Sequence, residues 1–334
     1  MSERVSKLSR REALGAGLAA GVVAATWTPG AIGAEEQAMV RIGIVADAHK
    51  DVIPDANKRL QAFIDAAKAR PLDFIIQMGD FCQPKPANRD FLAIWESYPG
   101  TRRHVLGNHD VDGGFAWEQT MAYYGMKRPY EAFTVGGCRF LILDGNEKET
   151  PRRPGYPRHI GREQLAWLKT ELESLDRPTF VFSHQSLENP GGVSNGAEVR
   201  ALLEEANTRS KGAGRVVACL SGHHHIDYRA EIQGITYLQI NSLSYYWVGE
   251  RYPRARYDEA TEKAFPYARF TIPYRDPLFA FMTIDPVAGE MRIEGRESTY
   301  LAPDPKELGM PVPPEFDRPS PRISDRRIAL RPPG

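Results

Sequence analysis

Cysteine is scarce in this 334-residue chain: Cys82, Cys138 and Cys219 are the only three. They are too few and too scattered for a disulfide framework, and at most one bridge could form. Cys138 and Cys219 sit in apolar runs and read as small buried hydrophobes. Cys82, two residues past Asp80, reads as a neighbour of that aspartate and not as a metal ligand. Net charge is missing as well, with 43 basic against 43 acidic residues. Such a balance gives no footprint for nucleic acid or an anionic membrane as partner. No internal repeat is visible, which sets aside repeat architectures. What remains is ordinary for a soluble globular protein, at 42% apolar and 26% charged residues. The length allows one large core or two modest ones.

The N-terminal residues 1–34 read as an address. Ser9-Arg10-Arg11-Glu12-Ala13-Leu14 leads into a mild Ala/Gly-rich stretch, Ala13 to Trp27, then small residues from Pro29 to Ala34 before Glu35-Glu36. Paired arginines, a weakly apolar stretch and a small-residue cut site describe a bacterial export signal. The arginine pair resembles the twin-arginine type, although Ala13 stands where a bulky Phe is usual. The apolar part is short for a membrane span, so no stable membrane insertion is expected after the signal is removed. The expected destination is the periplasm or the extracellular space. Without residues 1–34 the chain keeps 39 basic and 41 acidic residues, about −2.

Apolar runs in the remainder end repeatedly on residues that bind metals. Val40 to Ala46 is a β-type run ending at Asp47-Ala48-His49, and Phe74 to Met78 ends at Gly79-Asp80. Arg103 to Leu106 ends at Gly107-Asn108-His109-Asp110, Thr179 to Phe182 at Ser183-His184, and Arg215 to Leu220 at Ser221-Gly222-His223-His224-His225. Helical spacing appears between them, at Lys58 to Ala69, Phe91 to Tyr98, Arg162 to Leu175 and Glu198 to Thr208. This alternation predicts a layered α/β arrangement. Ile235 to Ile240, Leu278 to Ile284 and Met291 to Glu294 read as one closing sheet, with Asp285 to Gly289 as a hairpin loop. From about residue 301 prolines and arginines dominate, and this tail, 301–334, reads as an extended strap or disorder.

Ligands that follow different strands meet on one sheet edge, where loops converge. Five sequence-distant motifs can therefore build one site. Asp47, His49, Asp80, Asn108, His184, His223 and His225 are the candidate metal ligands, and His109 is left over for chemistry. In Gly222-His223-His224-His225 the alternate histidines His223 and His225 can face one site while His224 points away. Asp110 offers a carboxylate that could orient the His109 ring. This inventory suits two metal ions, a device that activates water and neutralises phosphoryl oxygens together. Mixed nitrogen and oxygen donors accept Mn, Fe or Zn. His104 and His159 read as surface or core histidines, and Asp144-Gly145-Asn146 as a turn.

Taken in order, the five blocks resemble the calcineurin-like metallophosphoesterase superfamily over roughly 40–240, within a domain expected to span 38–300. The resemblance implies a four-layer αββα sandwich of two mixed β-sheets flanked by helices. It places Asp47, His49 and His225 on one metal, and Asn108, His184 and His223 on the other, with Asp80 bridging both. His109 would be the acid near the leaving group and Asp110 its partner, and a metal-bound hydroxide would attack phosphorus directly. Gln83 stands where the purple acid phosphatase branch carries a tyrosine, which argues against a tyrosinate-bound ferric ion.

The stretch 241–277 is rich in aromatics and arginine, including Tyr245, Tyr246, Trp247, Arg251, Tyr252, Arg254, Arg256, Tyr257, Phe265 and Tyr267. Aromatic faces could stack a base and arginines could hold a second phosphate, or the stretch could simply cover the sheet edge. The expected substrate is a small phosphate ester, monoester or diester. A non-catalytic binding protein of the same fold is the alternative, and it would be marked by lost ligands. None of the seven is missing.

Overall fold

The computed structural model describes residues 38–151, 154–210, 214–314 and 317–331. The twin-arginine segment lies outside the described residues. Strands are numbered in chain order. One sheet carries β1 (Val40–Val45), β2 (Phe74–Gln77), β3 (Thr101–His104), β12 (Ala280–Asp285), β13 (Glu290–Glu294) and β16 (Arg326–Ala329), in the order β16-β13-β12-β1-β2-β3. The second carries β4 (Glu131–Val135), β5 (Cys138–Ile142), β6 (Pro178–Ser183), β7 (Arg215–Ser221), β8 (Tyr228–Ile232) and β9 (Ile235–Gln239), in the order β4-β5-β6-β7-β9-β8. Two small ribbons pair β10 (Tyr245–Trp247) with β11 (Thr271–Pro273), and β14 (Arg296–Glu297) with β15 (Arg322–Ile323).

Both sheets are mixed. β1, β2 and β3 run parallel, as do β5, β6, β7 and β9, while the outer strands join antiparallel. Parallel strands need crossovers, and here the crossovers include α1 (Ala56–Lys68) and α2 (Arg89–Glu96) on one side, and α4 (Arg162–Glu171) and α5 (Gly196–Arg209) on the other. Side chains alternate between the faces of a strand. Ile42, Ile44, Phe74 and Ile76 therefore meet Phe140, Ile142, Phe180, Phe182, Ala218 and Leu220 in a core between the two sheets. Val45 and Ile75 turn the other way, onto Leu60, Phe63, Ile64, Phe91 and Trp95 of α1 and α2. Leu141, Val181 and Cys219 pack on Leu168, Val199 and Leu203 of α4 and α5. Helix, sheet, sheet, helix is the four-layer sandwich. Strands covered on both faces read as unbroken apolar runs, which is why they are visible in the sequence.

The expected closing sheet does not form as one unit. Ile235–Gln239 joins β7 in the second sheet, whereas 280–285 and 290–294 extend the first beyond β1. The hairpin between the latter two is present, with the Val287 and Ala288 N–H groups donating to Asp285. In the tail, Arg326–Ala329 adds an edge strand to β13. It is pinned by Asp227, whose side chain is 3% exposed and accepts from Arg326 at 2.7 Å and from Ser324 N at 3.1 Å. The three cysteines are buried and unbridged. Among the described residues no helix is long and apolar enough to cross a membrane.

Candidate metal centre

The loops after β1, β2, β3, β6 and β7 converge at the carboxyl ends of both sheets and carry all seven predicted ligands. The β1 and β2 loops stay laddered beyond their strands: Asp47 N donates to Gly79 O, His49 N to Asp80 O and Lys50 N to Phe81 O. From above, Ser242 Oγ and Ser244 Oγ donate to the carbonyls of Asp47 and Ala48. These contacts hold an unusual backbone. Asp47, His49, Asp80, His223 and His225 all have φ between 48° and 72°, the left-handed region. Such a conformation costs a non-glycine residue on the order of 1–3 kcal/mol and persists only where surroundings over-determine it. Gln233 is the one other non-glycine residue with positive φ among the described residues. Sequence periodicity carries no trace of this clustering.

The glycines before the ligands have a steric reason. A Cβ on Gly107 would lie 2.1 Å from Asp80 N and 2.3 Å from its Oδ1, and one on Gly222 would lie 2.5 Å from Asp47 Oδ2. Ligands from neighbouring strands pack directly against these two backbones, so no side chain fits.

Two triads result. Asp47, His49 and His225 form the first, and Asp80, His184 and His223 the second, each with donor atoms within 4.8 Å of one another. In the first, His225 Nε2 is 3.2 Å from His49 Nε2 and 3.3 Å from Asp47 Oδ1. In the second, His184 Nε2 is 3.1 Å from Asp80 Oδ2, 3.2 Å from Asn108 Oδ1 and 3.3 Å from His223 Nδ1. Asp80 joins the two: its Oδ2 is also 3.5 Å from His49 Nε2, while Oδ1 accepts His109 N–H at 2.7 Å.

The donors fit a cation. His184 Nδ1 donates to Met78 O at 2.9 Å, and His225 Nδ1 to Tyr245 O at 3.0 Å. With Nδ1 so engaged, the Nε2 lone pair of each ring is directed into the site. Burial drives His49 and His223 well below the usual histidine range, so their rings are neutral and able to ligate. Burial also opposes charge on His184, but the Asp80 carboxylate outweighs it and lifts the ring to about 9. Against the same burial, His184 and His109 hold Asp80 well below the usual carboxylate range. A cation bound at His184 Nε2 would have to displace that proton. Oxygen and imidazole donors without a thiolate match Mn, Fe or Zn.

His224 points away, as the alternation predicts, with its Nε2 3.1 Å from Ser186 Oγ. The expected partnership of Asp110 with His109 is not made. A short 3₁₀ turn, Asn108–Val111, rotates Asp110 into the interior, where it accepts from Phe81 N at 2.7 Å, Gly107 N at 2.8 Å and Tyr124 Oη at 3.0 Å. Asp110 therefore shapes the ligand turn. The carboxylate on His109 is Asp112, with Oδ2 2.6 Å from Nδ1. Burial works against charge on His109, but Asp80 and Asp112 raise its pKa overall.

Two further residues brace the site. Asn146, in the predicted turn, donates to Leu106 O at 3.0 Å, just ahead of Gly107-Asn108, and accepts from Gln185 Nε2 at 2.7 Å, just after His184. It thereby couples ligand loops from the two sheets. His104 is partly buried and stacked on Tyr124, with ring centroids 4.9 Å apart, and desolvation holds it down to about 3.

The chain belongs to the calcineurin-like phosphoesterase family: the family's sequence profile matches residues 40–227, more than half of its length. Among curated proteins, no sequence matches this chain. Among solved structures, a dimetal phosphatase from Danio rerio is similar, with 14% identity and a TM-score of 0.57, over 87% of this chain and 99% of that one. A purple acid phosphatase from yellow lupin (Lupinus luteus) seeds gives 13% identity and a TM-score of 0.49, over 78% of this chain and 52% of that one. At 14% identity the likeness to the Danio rerio protein is one of fold.

Proposed function

We propose that this protein is an exported metal-dependent hydrolase of phosphoric esters, cleaving phosphodiester or phosphomonoester bonds. One observation carries the reading: Asp80 of the second ligand triad also lies 3.5 Å from His49 of the first, and His109 stands beside them. Asp47, His49 and His225 would hold one cation and Asn108, His184 and His223 the other, with Asp80 between. Two cations so placed supply charge neutralisation at the phosphoryl oxygens and activation of water. The chain's own contribution is then orientation and one proton. Asp112 holds His109 by Nδ1, which leaves Nε2 to protonate the leaving oxygen as the P–O bond breaks.

An organic substituent with a planar ring is favoured. Among the described residues the exposed large aromatic side chains are Tyr156, Trp247 and Tyr267. The Tyr156 ring packs against His109 at a tilt of 57°, with ring centroids 4.7 Å apart. Trp247 lies 6.4 Å from Tyr245, whose buried ring touches His49 and His225. Burial raises the Tyr156 phenol pKa, with Asp112, Asp80 and Tyr267 adding to it in that order. Tyr245, Tyr246 and Tyr274 from the same region are core residues, and Arg256 reaches the Pro303 carbonyl. The insertion therefore offers two exposed rings, Trp247 and Tyr267, together with the exposed Arg251 and Arg254.

Chelation followed by return of Mn, Fe or Zn tests the reading, with rates on bis(4-nitrophenyl) phosphate and 4-nitrophenyl phosphate. Activity is expected to vanish and return with metal, and protein that binds metal yet hydrolyses neither ester would refute it. A nucleotide-type ester is expected to give a higher kcat/KM than an alkyl phosphate. Export rests on the sequence of residues 1–34. A reporter fused to that segment should leave the bacterial cytoplasm, and Arg10→Lys with Arg11→Lys should retain it. A reporter exported equally well by the double variant removes the twin-arginine assignment.

A further inference from the structure

We propose that Tyr156 is a positioning residue for His109, holding its ring through Asp112 so that Nε2 meets the leaving oxygen. The inference rests on the hydrolase reading above and deepens it. Tyr156 lies in the loop between β5 and α4, 47 residues from His109. The base of that loop is anchored where His159 pairs with Asn146 and Glu147. Its phenol donates to Asp112 Oδ1 at 2.8 Å and lies 3.2 Å from His109 Nδ1. Asp112 thus divides its two oxygens, Oδ2 to the imidazole at 2.6 Å and Oδ1 to the phenol. A carboxylate only accepts, so both hydrogen bonds run toward it and the Nδ1–H tautomer is fixed.

A third group is needed here. The side chains of His109 and Asp112 are 39% and 31% exposed, and a paired histidine and carboxylate that open to water are weakly held. Tyr156 supplies what burial does not. Its ring covers one side of His109 at 4.7 Å and 57°, while His49 meets the ring at 5.3 Å and 65°. The imidazole is clamped between the phenol and a metal ligand, with Nε2 as the free nitrogen. In the reaction a water oxygen bonds to phosphorus and the bond to the leaving oxygen breaks. That oxygen keeps the electron pair and takes the Nε2 proton of the doubly protonated ring, which is left as the neutral Nδ1–H tautomer, and the proton lost by water restores the imidazolium through solvent. An imidazole that tilts by an ångström would serve poorly, since misplacement on that scale costs up to about a hundredfold.

The test compares the wild type with Tyr156→Phe, which keeps the covering ring and loses only the hydroxyl, and with Tyr156→Ala. Each is loaded with metal and assayed on 4-nitrophenyl phosphate, a good leaving group, and phenyl phosphate, a poor one. Tyr156→Phe is expected to lose about tenfold or more in kcat on phenyl phosphate, less than about threefold on 4-nitrophenyl phosphate, with KM and metal content unchanged. Tyr156→Ala is expected to fall at least as far. Independently of turnover, ring ¹⁵N shifts of His109 should report the single Nδ1–H tautomer in the wild type and a mixture in Tyr156→Phe. Equal losses on the two esters, a change confined to KM, unaltered rates, or an unaltered tautomer would each overturn the proposal while leaving the hydrolase reading in place. A metal-loaded wild type that turns over neither ester overturns both.

Discussion

Asp80→Ala is expected to empty both metal positions together and to lower turnover by at least about a thousandfold. The reason is the placement of one oxygen: Oδ2 lies 3.1 Å from His184 and 3.5 Å from His49, so a single carboxylate serves both triads. Losing it removes a ligand and a negative charge from each. Charge stabilisation by such ions is worth several kcal/mol, and each 1.36 kcal/mol is tenfold in rate. Metal content by elemental analysis should drop from two per chain toward zero. Asp80→Asn keeps an oxygen for His109 N–H and separates loss of charge from loss of the turn. The pH dependence follows from His184. Its folded-state value is raised to about 9, so below that pH the metal-free ring holds a proton that metal must expel. Affinity should therefore weaken as pH falls from 9 to 7, by up to about tenfold per unit for each proton displaced. In Asp80→Ala the main source of that elevation is gone, and the slope should flatten. Full metal occupancy in Asp80→Ala would contradict the shared-carboxylate arrangement.

His109→Ala should behave in the opposite way, keeping its metals while losing chemistry. His109 is in neither triad, and only its backbone N–H touches Asp80. Removing the ring leaves that bond intact. General acid assistance contributes roughly 10²–10⁴-fold, most where the leaving group is a poor one. Turnover of phenyl or alkyl phosphates should fall by that factor, and turnover of 4-nitrophenyl phosphate by far less, with two metals still bound. Unchanged rates on poor leaving groups would remove His109 from the mechanism.

These residues were readable because of where they stand. Strands covered on both faces are largely apolar, so the first polar residue after each one marks a loop at the sheet edge, and Asp47, Asp80, His184 and His223 follow that rule, whereas Asn108 follows the polar edge strand β3. Choices made in three dimensions were not readable. Asp110 is adjacent to His109 in sequence and Asp112 is three residues on; which of them reaches the ring depends on the turn at Asn108–Val111. Tyr156 and Asn146 belong to a loop with no periodicity to place it over the site. The segment 235–239 is as apolar as 280–285, and only long-range pairing sends the two to different sheets. Aromatic composition marked 241–277 as unusual without separating Tyr245, which packs beneath the ligands, from Trp247, which faces water.

The twisted backbone at Asp47, His49, Asp80, His223 and His225 has a consequence for the empty protein. Five residues there hold a shape that glycine would adopt freely. Glycine at Asp47 or His225 would relax the chain and abolish coordination, so selection for resilience alone would erase the centre. Bound ions act as a clasp on this tension: they favour the native state by RT ln(1 + [L]/Kd) and so raise the melting temperature as their concentration rises. Hydrogen exchange at these five positions is therefore expected to slow as metal is added.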